Sequence, residues 1–462
     1  MLSFFLTGNA QDVIGDWSGQ LDVSGTSLRI VFHITLEGDQ YQATMDSPDQ
    51  GASGIPVNGV TFESPNLKLD LANIGGSYEG TVSEDFLSIE GVFTQAGHDL
   101  PLKLAKTSQQ EIEQMAPKRP QTPKEPFPYY SEEVVFENAD AGIKLAGTLT
   151  LPDAKGQYPV VVLISGSGPQ NRNEELMNHQ PFLVLSDYLT RQGIGVLRYD
   201  DRGVAQSEGD FGTATSADFA TDAYAAVQYL KTRKEVLVDK IGLAGHSEGG
   251  MIAPMVAAAH PADIDFIVLL AGPGTKLSEL LLEQVELISR VSGVSEEKIK
   301  RDAKISKGAY DIMAQKHDLE VEKKELEAYL DQALDLLDAE EIAAAGGKQA
   351  IIQKQLSTLQ DPWFRYFITF DPKDYLTQVK CPVLAINGSN DLQVAPGSNL
   401  MAIKEALAAG GNKQGEIVLL AGLNHLFQKS ETGSPSEYAT IEETMSVDLL
   451  KTVANWIHKT VK

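Results

Sequence analysis

The chain has 462 residues, a formal net charge of −26 at pH 7 and a hydrophobic fraction of 42%. This length accommodates two or three domains, and the hydrophobic fraction is ordinary for a globular protein. The Lys and Arg residues are scattered, which argues against nucleic acid or an anionic membrane as a partner. No apolar run approaches the ~20 residues of a membrane span. Because Cys381 is the single cysteine, an intramolecular disulfide and a cysteine-based metal site are excluded.

Residues 1–10 resemble the end of a signal peptide. The apolar run 2–6 (LSFFL) is followed by Thr7 to Ala10, which offers a small residue at a cleavage position, although no Lys or Arg precedes the run. This pattern predicts export to the periplasm or the medium, with a cytoplasmic location as the alternative.

Residues 11–106 have the pattern of an all-β domain. Apolar and polar residues alternate over 28–36 and again over 41–45, and further short runs follow between turn residues. Close turn spacing of this kind predicts an antiparallel meander or a small barrel, with Trp17 in its core. His33 and His98 have no partners at metal-ligand spacing, so they are interpreted as surface or hydrogen-bonded histidines.

Proline dominates the next segment, 107–131, which predicts an extended, semi-rigid linker without a core of its own. From residue 132 strands alternate with helices, as in a mostly parallel sheet with right-handed crossovers. This α/β core is predicted to occupy 132–274 and 376–462, ending in a helix over 438–458. Between its two parts, residues 275–375 are rich in Leu, Ala, Glu and Lys with helical periodicity, and are predicted to form a helical cap.

The stretch GHSEGG at 245–250 is the only G-x-S-x-G in the chain. The stretch 238–244 (VDKIGLA) before it is predicted as a short buried strand, and a small, apolar, helix-compatible run follows it. Strand, sharp turn and helix are the context in which this motif forms a nucleophile elbow. The sequence therefore predicts Ser247 as a nucleophile and the backbone N–H of Glu248 as a donor to an oxyanion.

A serine nucleophile needs a base that is itself held by an acid, and in this arrangement both follow it in the chain. His425 falls in the loop after the last predicted strand, where the base is expected; the other downstream histidines do not: His260, His317 and His458. Asp391 follows the strand 383–387 and is predicted as the acid. Asp371 and Asp374 are alternatives, but they precede that strand.

The loop after the strand 160–164 begins Ser-Gly-Ser-Gly-Pro, and its glycines allow the backbone to approach a substrate. The N–H of Ser167 is predicted as the second oxyanion donor, with Gly168 as the alternative. Such a donor typically contributes ~10²–10³ in turnover.

Five motifs together make residues 132–462 resemble serine hydrolases of the α/β-hydrolase superfamily: GHSEGG, SGSGPQNRNE, RYDDRG, KCPVLAINGSND and GLNHLF. More narrowly, the chain is similar to bacterial carboxylesterases of the EstD-like group, which carry an N-terminal β-domain and a helical cap. The resemblance implies triad roles for Ser247, Asp391 and His425, no cofactor and no metal, and a preference for short acyl esters. One departure is Ala205, where many relatives have Gly. Arg202 is accordingly predicted to form a structural ion pair with Asp200 or Asp201.

Aromatic residues concentrate just before the second part of the core. Trp363, Phe367 and Phe370 are predicted either to contact substrate or to pack the cap against the sheet. The leading hypothesis is hydrolysis of a small-molecule ester through an acyl-enzyme. A peptidase or acylaminopeptidase of the same superfamily is one alternative, and a β-barrel ligand-binding protein with an inert hydrolase domain is another. Self-association through edge strands stays open.

Overall fold

A computed structural model of the chain describes residues 13–23, 26–50, 52–95, 98–115, 118–315 and 318–462. The chain divides into two compact units, Met1–Arg119 with Leu176–Asn178 and Pro120–Glu175 with His179–Lys462. The signal-peptide remnant predicted at 1–10 lies outside the described residues.

Antiparallel strands build the first unit, as the alternating pattern predicts. Among the described residues they form one sheet in the order β4-β3-β2-β1-β9-β8-β7-β6-β5. The inward-facing side chains form a core in which Trp17, Phe32 and Tyr78 are fully buried. The indole N–H of Trp17 donates to the Val13 carbonyl oxygen at 2.7 Å. The strands are β1 Gly15–Val23, β2 Thr26–Glu37, β3 Gln40–Ser47, β4 Ala52–Pro56, β5 Gly59–Glu63, β6 Asn66–Leu71, β7 Gly76–Val82, β8 Ser88–Gln95 and β9 His98–Thr107.

The segment predicted as an extended linker contains a short helix, α1, at Gln109–Met115. Ser108 and Glu111 cap its start reciprocally: the Ser108 N–H donates to the Glu111 carboxylate at 2.8 Å, and the Glu111 N–H donates to Ser108 Oγ at 3.3 Å. This S-x-x-E capping box stabilises a first helical turn ahead of the prolines. The extended prediction is therefore wrong for this stretch, although the capping signature is visible in the sequence.

A mixed, mostly parallel sheet forms the core of the second unit. Its described strands follow the order β10-β11-β13-β12-β14-β15-β16-β17, antiparallel from β10 to β13 and parallel from there on. The strand order reverses at β13, so the connection from β12 to β13 and the connection from β13 to β14 lie on opposite faces of the sheet. The strands are β10 Tyr130–Asn138, β11 Ile143–Leu151, β12 Tyr158–Ile164, β13 Gly195–Tyr199, β14 Val236–His246, β15 Phe266–Leu270, β16 Val383–Gly388 and β17 Gly415–Leu420.

Helices cover both faces of this sheet, which explains why its central strands are apolar throughout. The second unit as a whole contains the helices α2 Pro181–Arg191, α3 Ser216–Lys231, α4 Gly249–Ala259, α5 Leu277–Val291, α6 Glu296–Met313, α7 Leu319–Ala333, α8 Ala339–Ala344, α9 Lys348–Gln360, α10 Pro362–Thr369, α11 Lys373–Leu376, α12 Pro396–Ala409 and α13 Val447–Thr460. In β12, Val160 and Val162 pack with α3, α4 and α12, whereas Val161 and Leu163 pack with α2 and α13. None of the helices in the described ranges is long and apolar enough to cross a membrane.

Two helix boundaries differ from the sequence prediction. Helical periodicity in the cap predicts one helix over 340–359. The structure splits it into α8 and α9, because Gly346 and Gly347 adopt φ of 81° and 101° and end the first of them. The closing helix α13 begins at Val447 rather than at Tyr438. Its start is set by Ser446, whose side chain accepts the N–H of Asp448.

Cys381 lies just before β16, in a half-buried position. Burial raises the pKa of its thiol to about 12. Since the thiolate is the reactive form, we expect slow alkylation by iodoacetamide at about pH 8 in the native protein and fast alkylation after denaturation. Mass spectrometry of timed samples measures both rates, and equal rates would contradict this assignment.

Candidate active site

The predicted site residues follow four strands of one sheet. Ser167 follows β12, Ser247 follows β14, Asp391 follows β16 and His425 follows β17. These strands all run in the same direction, so the loops that leave their carboxyl ends lie at one edge of the sheet.

Ser247 occupies the tight turn between β14 and α4. Its φ is 52°, in the left-handed region that a non-glycine residue rarely adopts, and its N–H donates to the Leu270 carbonyl oxygen at 2.9 Å. The turn leaves no room for a side chain at position 245 or 249. A Cβ on Gly245 would lie 1.9 Å from the Gly249 oxygen, and one on Gly249 would lie 2.2 Å from the Ile164 oxygen. Ser247 stays partly exposed, while its neighbours on both sides are buried.

Asp391 and His425 are joined in a buried hydrogen bond. Asp391 Oδ2 lies 2.8 Å from His425 Nδ1. The other carboxylate oxygen, Oδ1, accepts the backbone N–H groups of Gln393 at 2.8 Å and Val394 at 2.9 Å. These bonds fix the carboxylate, so it is able to hold His425 with a proton on Nδ1 and a free electron pair on Nε2.

Ser247 and His425 are connected through His246, the last residue of β14. Within residues 118–315 and 318–462, Ser247 Oγ forms no hydrogen bond with His425. His246 bridges them instead: its Nε2 lies 3.0 Å from the His425 carbonyl oxygen, and the two imidazole rings are 4.8 Å apart. Nucleophile–base hydrogen bonds are often long without substrate and tighten only in the complex.

The two backbone N–H groups predicted to bind an oxyanion, those of Glu248 and Ser167, have no hydrogen-bond acceptor among the described residues. The N–H of Gly166, in contrast, donates to Glu174 Oε1 at 2.7 Å and is not available to a ligand. The N–H of Gly168, the alternative to Ser167, is also without a partner among the described residues.

The side chain of Glu248 links the elbow to two other elements. Its Oε1 accepts the Ser216 hydroxyl at 2.6 Å and the Trp363 indole N–H at 2.9 Å. Burial raises the pKa of this carboxyl, against the opposing effect of hydrogen bonds from Ser216, Trp363 and Ser167.

The three aromatic residues predicted to contact substrate have different surroundings. Trp363 stacks on Phe367 with ring centroids 4.9 Å apart, and Phe367 and Phe370 are both buried in the core under the sheet. A cavity of about 1140 Å³ lies among α5, α6, α7 and α10, and Phe370 lines it. The cavity lining includes neither Ser247 nor His425.

The alternative bases and acids are placed elsewhere. His260 stacks on Tyr224 at the end of α4, and His458 lies within α13. His317 lies outside the described residues. Asp371 and Asp374 precede β16, and Asp371 Oδ1 accepts the N–H of Lys373 at the start of α11.

Arg202 does not pair with Asp200 or Asp201, so that prediction is wrong. Its guanidinium group binds Asp222 in α3, with Nε at 2.7 Å from Oδ2. Asp200 binds Arg172 instead, at 2.6 Å from Nη2 to Oδ2. The motif offers only sequence neighbours as partners, whereas in the fold the partner of Arg202 comes from α3 and the partner of Asp200 comes from the 165–175 loop.

Asp201 faces the 165–170 loop, where it accepts the Ser165 hydroxyl at 2.7 Å and the Gln170 N–H at 2.9 Å. Burial raises the pKa of Asp201 to about 8. Ala205 in the same turn has a φ of 47°, in the left-handed region that glycine adopts without strain.

Sequence reasoning missed Glu174 and the role of His246. Glu174 is buried at the end of a polar loop, with a φ of 51°, and its Oε1 lies 2.9 Å from His246 Nδ1. Nothing in the spacing of these two residues, 72 positions apart, signals a contact. The described residues contain no group of three or more His, Cys, Asp or Glu side chains arranged to hold a metal ion.

Comparisons with known proteins found a matching family model, a related esterase and several similar solved structures. The model of the X-Pro dipeptidyl-peptidase (S15) family matches residues 141–422. Esterase EstD of Thermotoga maritima is 25% identical over 338 residues, which cover 72% of this chain and 70% of the relative. Among solved structures, Est1E of Butyrivibrio proteoclasticus is 19% identical, with a TM-score of 0.40 over 71% of this chain and 97% of that one. Esterase Pf2001 of Pyrococcus furiosus is 14% identical, with a TM-score of 0.43 over 75% of this chain and 98% of that one.

The family model covers more than half of the chain, including the loops after β12, β14 and β16 and the end of β17. The chain is a hydrolase that belongs to the X-Pro dipeptidyl-peptidase (S15) family of the α/β-hydrolase superfamily.

Proposed function

We propose that this protein hydrolyses short-chain carboxylic esters through an acyl-enzyme formed on Ser247. The observation that carries the proposal is the buried Asp391–His425 hydrogen bond, held beside a strained serine at the carboxyl edge of the sheet. A serine hydroxyl is a weak nucleophile near neutral pH, and a histidine that is oriented by a carboxylate supplies the base it lacks.

In the first half of the reaction, Ser247 Oγ attacks the ester carbonyl carbon while His425 Nε2 accepts the hydroxyl proton. The carbonyl oxygen becomes an oxyanion, which the N–H groups of Glu248 and Ser167 bind. His425 then donates its proton to the alkoxide oxygen as the C–O bond breaks, so that the alcohol leaves and the acyl group stays on Ser247.

In the second half, His425 removes a proton from water, which attacks the acyl-enzyme through a second oxyanion. Collapse of this intermediate returns the proton to Ser247 and releases the carboxylic acid. Asp391 keeps its negative charge throughout and stabilises the imidazolium that forms twice in each turnover.

We assign substrate selection to the helical segment 275–375, which acts as a cap. Its Trp363 reaches the elbow directly, through the hydrogen bond to Glu248. Stacking of the half-buried indole on Phe367 holds the ring in place for this contact.

The family model supports a second candidate, cleavage of an Xaa-Pro peptide bond, since the family takes its name from that reaction. The acyl-enzyme chemistry is the same for both, and only the leaving group differs. The ester proposal is favoured by the identity to a protein named as an esterase over 72% of the chain.

One assay separates the candidates: hydrolysis of p-nitrophenyl acetate, butyrate and octanoate and of glycyl-prolyl-p-nitroanilide by the purified protein. We expect turnover of the esters, falling with acyl length, and no cleavage of the anilide. Anilide cleavage with a higher kcat/KM than that of any ester would favour the peptidase. Failure to turn over any of the four would favour a binding protein with an inert hydrolase domain.

A further inference from the structure

A second carboxylate–imidazole pair lies behind the proposed triad. Glu174 and His246 are both at least nine-tenths buried, and the Asp391–His425 pair uses neither of them. Through three hydrogen bonds they connect the loop after β12, the end of β14 and the loop after β17. The Gly166 N–H donates to Glu174 at 2.7 Å, Glu174 lies 2.9 Å from His246 Nδ1, and His246 Nε2 lies 3.0 Å from the His425 carbonyl oxygen.

We propose that Glu174 and the protonated His246 are a positioning pair that fixes the oxyanion loop and the base loop against Ser247. This inference rests on the proposed ester hydrolysis for its kinetic consequences. Neither residue touches the reacting atoms. They act through Gly166, whose neighbour Ser167 supplies an oxyanion donor, and through the backbone of the catalytic base His425.

The partners of His246 determine its protonation state. A backbone carbonyl oxygen only accepts, so His246 Nε2 facing His425 carries a proton. The other ring nitrogen faces Glu174 Oε1, the same oxygen that already accepts the Gly166 N–H. A proton on Nδ1 gives each of these three hydrogen bonds one donor and one acceptor. His246 is then an imidazolium paired with the Glu174 carboxylate.

The electrostatic surroundings support the charged state. Burial alone disfavours an imidazolium, yet the carboxylate of Glu174, the His425 carbonyl and the Asp391 charge together raise the pKa of His246 above the usual histidine value. Removing one partner of a buried ion pair lowers the stability of the folded protein, because the other charge stays buried without a counter-charge.

Glu174 also lies close to the nucleophile. A Cβ on Gly166 would be 3.2 Å from Ser247 Cβ and 3.3 Å from Glu174 Oε1, so little space separates the three. A shift of the carboxylate therefore moves the oxyanion loop relative to the serine. Misplacement by about 1 Å costs an enzyme up to ~10²-fold in rate.

The first test is NMR of the wild-type protein labelled with ¹⁵N-histidine, with the His246 signals identified by their loss in His246→Gln. We expect both ring nitrogens of His246 to be protonated near neutral pH. One unprotonated ring nitrogen would overturn the ion pair. This measurement requires no activity, so its outcome is independent of the proposed function.

The second test compares Glu174→Gln with Glu175→Gln, an equal charge change at the adjacent, exposed residue. Glutamine offers one acceptor oxygen and an NH₂ group but no charge. Its oxygen accepts the Gly166 N–H, or its NH₂ group donates to an unprotonated His246 Nδ1, but neither restores the ion pair. For p-nitrophenyl butyrate we expect kcat of Glu174→Gln to fall by about 10- to 100-fold with KM little changed, and Glu175→Gln to match the wild type.

A double-mutant cycle distinguishes a pair from two independent structural residues. If Glu174 and His246 act together, the double variant Glu174→Gln/His246→Gln loses no more kcat than the worse single variant. Additive losses, or equal kcat for Glu174→Gln and Glu175→Gln, would contradict the proposal even if Ser247→Ala abolishes ester turnover. Thermal unfolding of each variant shows whether the native fold is kept.

Discussion

Replacing Ser247 by Ala is expected to lower kcat for p-nitrophenyl butyrate by ~10⁶-fold, the loss that follows removal of the nucleophile in other serine triads. The substitution removes one oxygen and changes nothing in the strained turn, because alanine accepts a φ near 52° about as well as serine does. The buried neighbours of Ser247 keep their packing. Steady-state kinetics with active-protein concentration fixed by absorbance measures the effect.

Ser167→Ala is the matched control, with the same change in the loop that faces Ser247. The role proposed for Ser167 belongs to its backbone N–H, which alanine retains. We therefore expect its kcat to stay within about tenfold of the wild type, far above that of Ser247→Ala. Comparable activity of Ser247→Ala and the wild type would remove Ser247 from the mechanism.

The second large effect is expected for Asp391→Asn, which should lower kcat by up to ~10⁴-fold without loss of the fold. Asparagine keeps the Oδ1 that accepts the N–H groups of Gln393 and Val394. Its amide N–H₂ then faces His425 Nδ1 and donates to it. This leaves the proton on Nε2, the nitrogen that has to accept the proton of Ser247.

Asp374→Asn controls for the loss of a carboxylate from this part of the chain. Asp374 is exposed and precedes β16, and it was the alternative acid on sequence grounds. Its substitution is expected to leave kcat unchanged. If Asp374→Asn lost activity and Asp391→Asn did not, the assignment of the acid would be reversed.

The antiparallel first sheet and the α/β second sheet are both predictable from the sequence, because local patterns carry them. Period-two alternation marks the strands of the first sheet, and continuous apolar runs mark the central strands of the second. The position of Ser247 follows from local chemistry as well, since small residues at 245 and 249 are required for the turn.

Contacts between distant residues could not be predicted in this way. The Arg202–Asp222 ion pair and the Glu174–His246 pair depend on how a loop packs against a helix or a strand, which no spacing in one sequence records. The start of α13 was misplaced because residues 438–446 have helix-compatible composition, yet the chain in the structure uses Tyr438 in the loop beside His179. The capping box at 108–111 is a local signature that predicts a helix start, but the prolines that follow it favour an extended chain.

The central claim is that Ser247 is the nucleophile, and covalent labelling tests it most directly. The wild-type protein is treated with a fluorophosphonate, which phosphonylates activated serines, and the modified peptide is sequenced by mass spectrometry. We expect one adduct per chain, on Ser247, with loss of ester hydrolysis in proportion to labelling. An adduct on another serine, or full inhibition with Ser247 unmodified, would contradict the account.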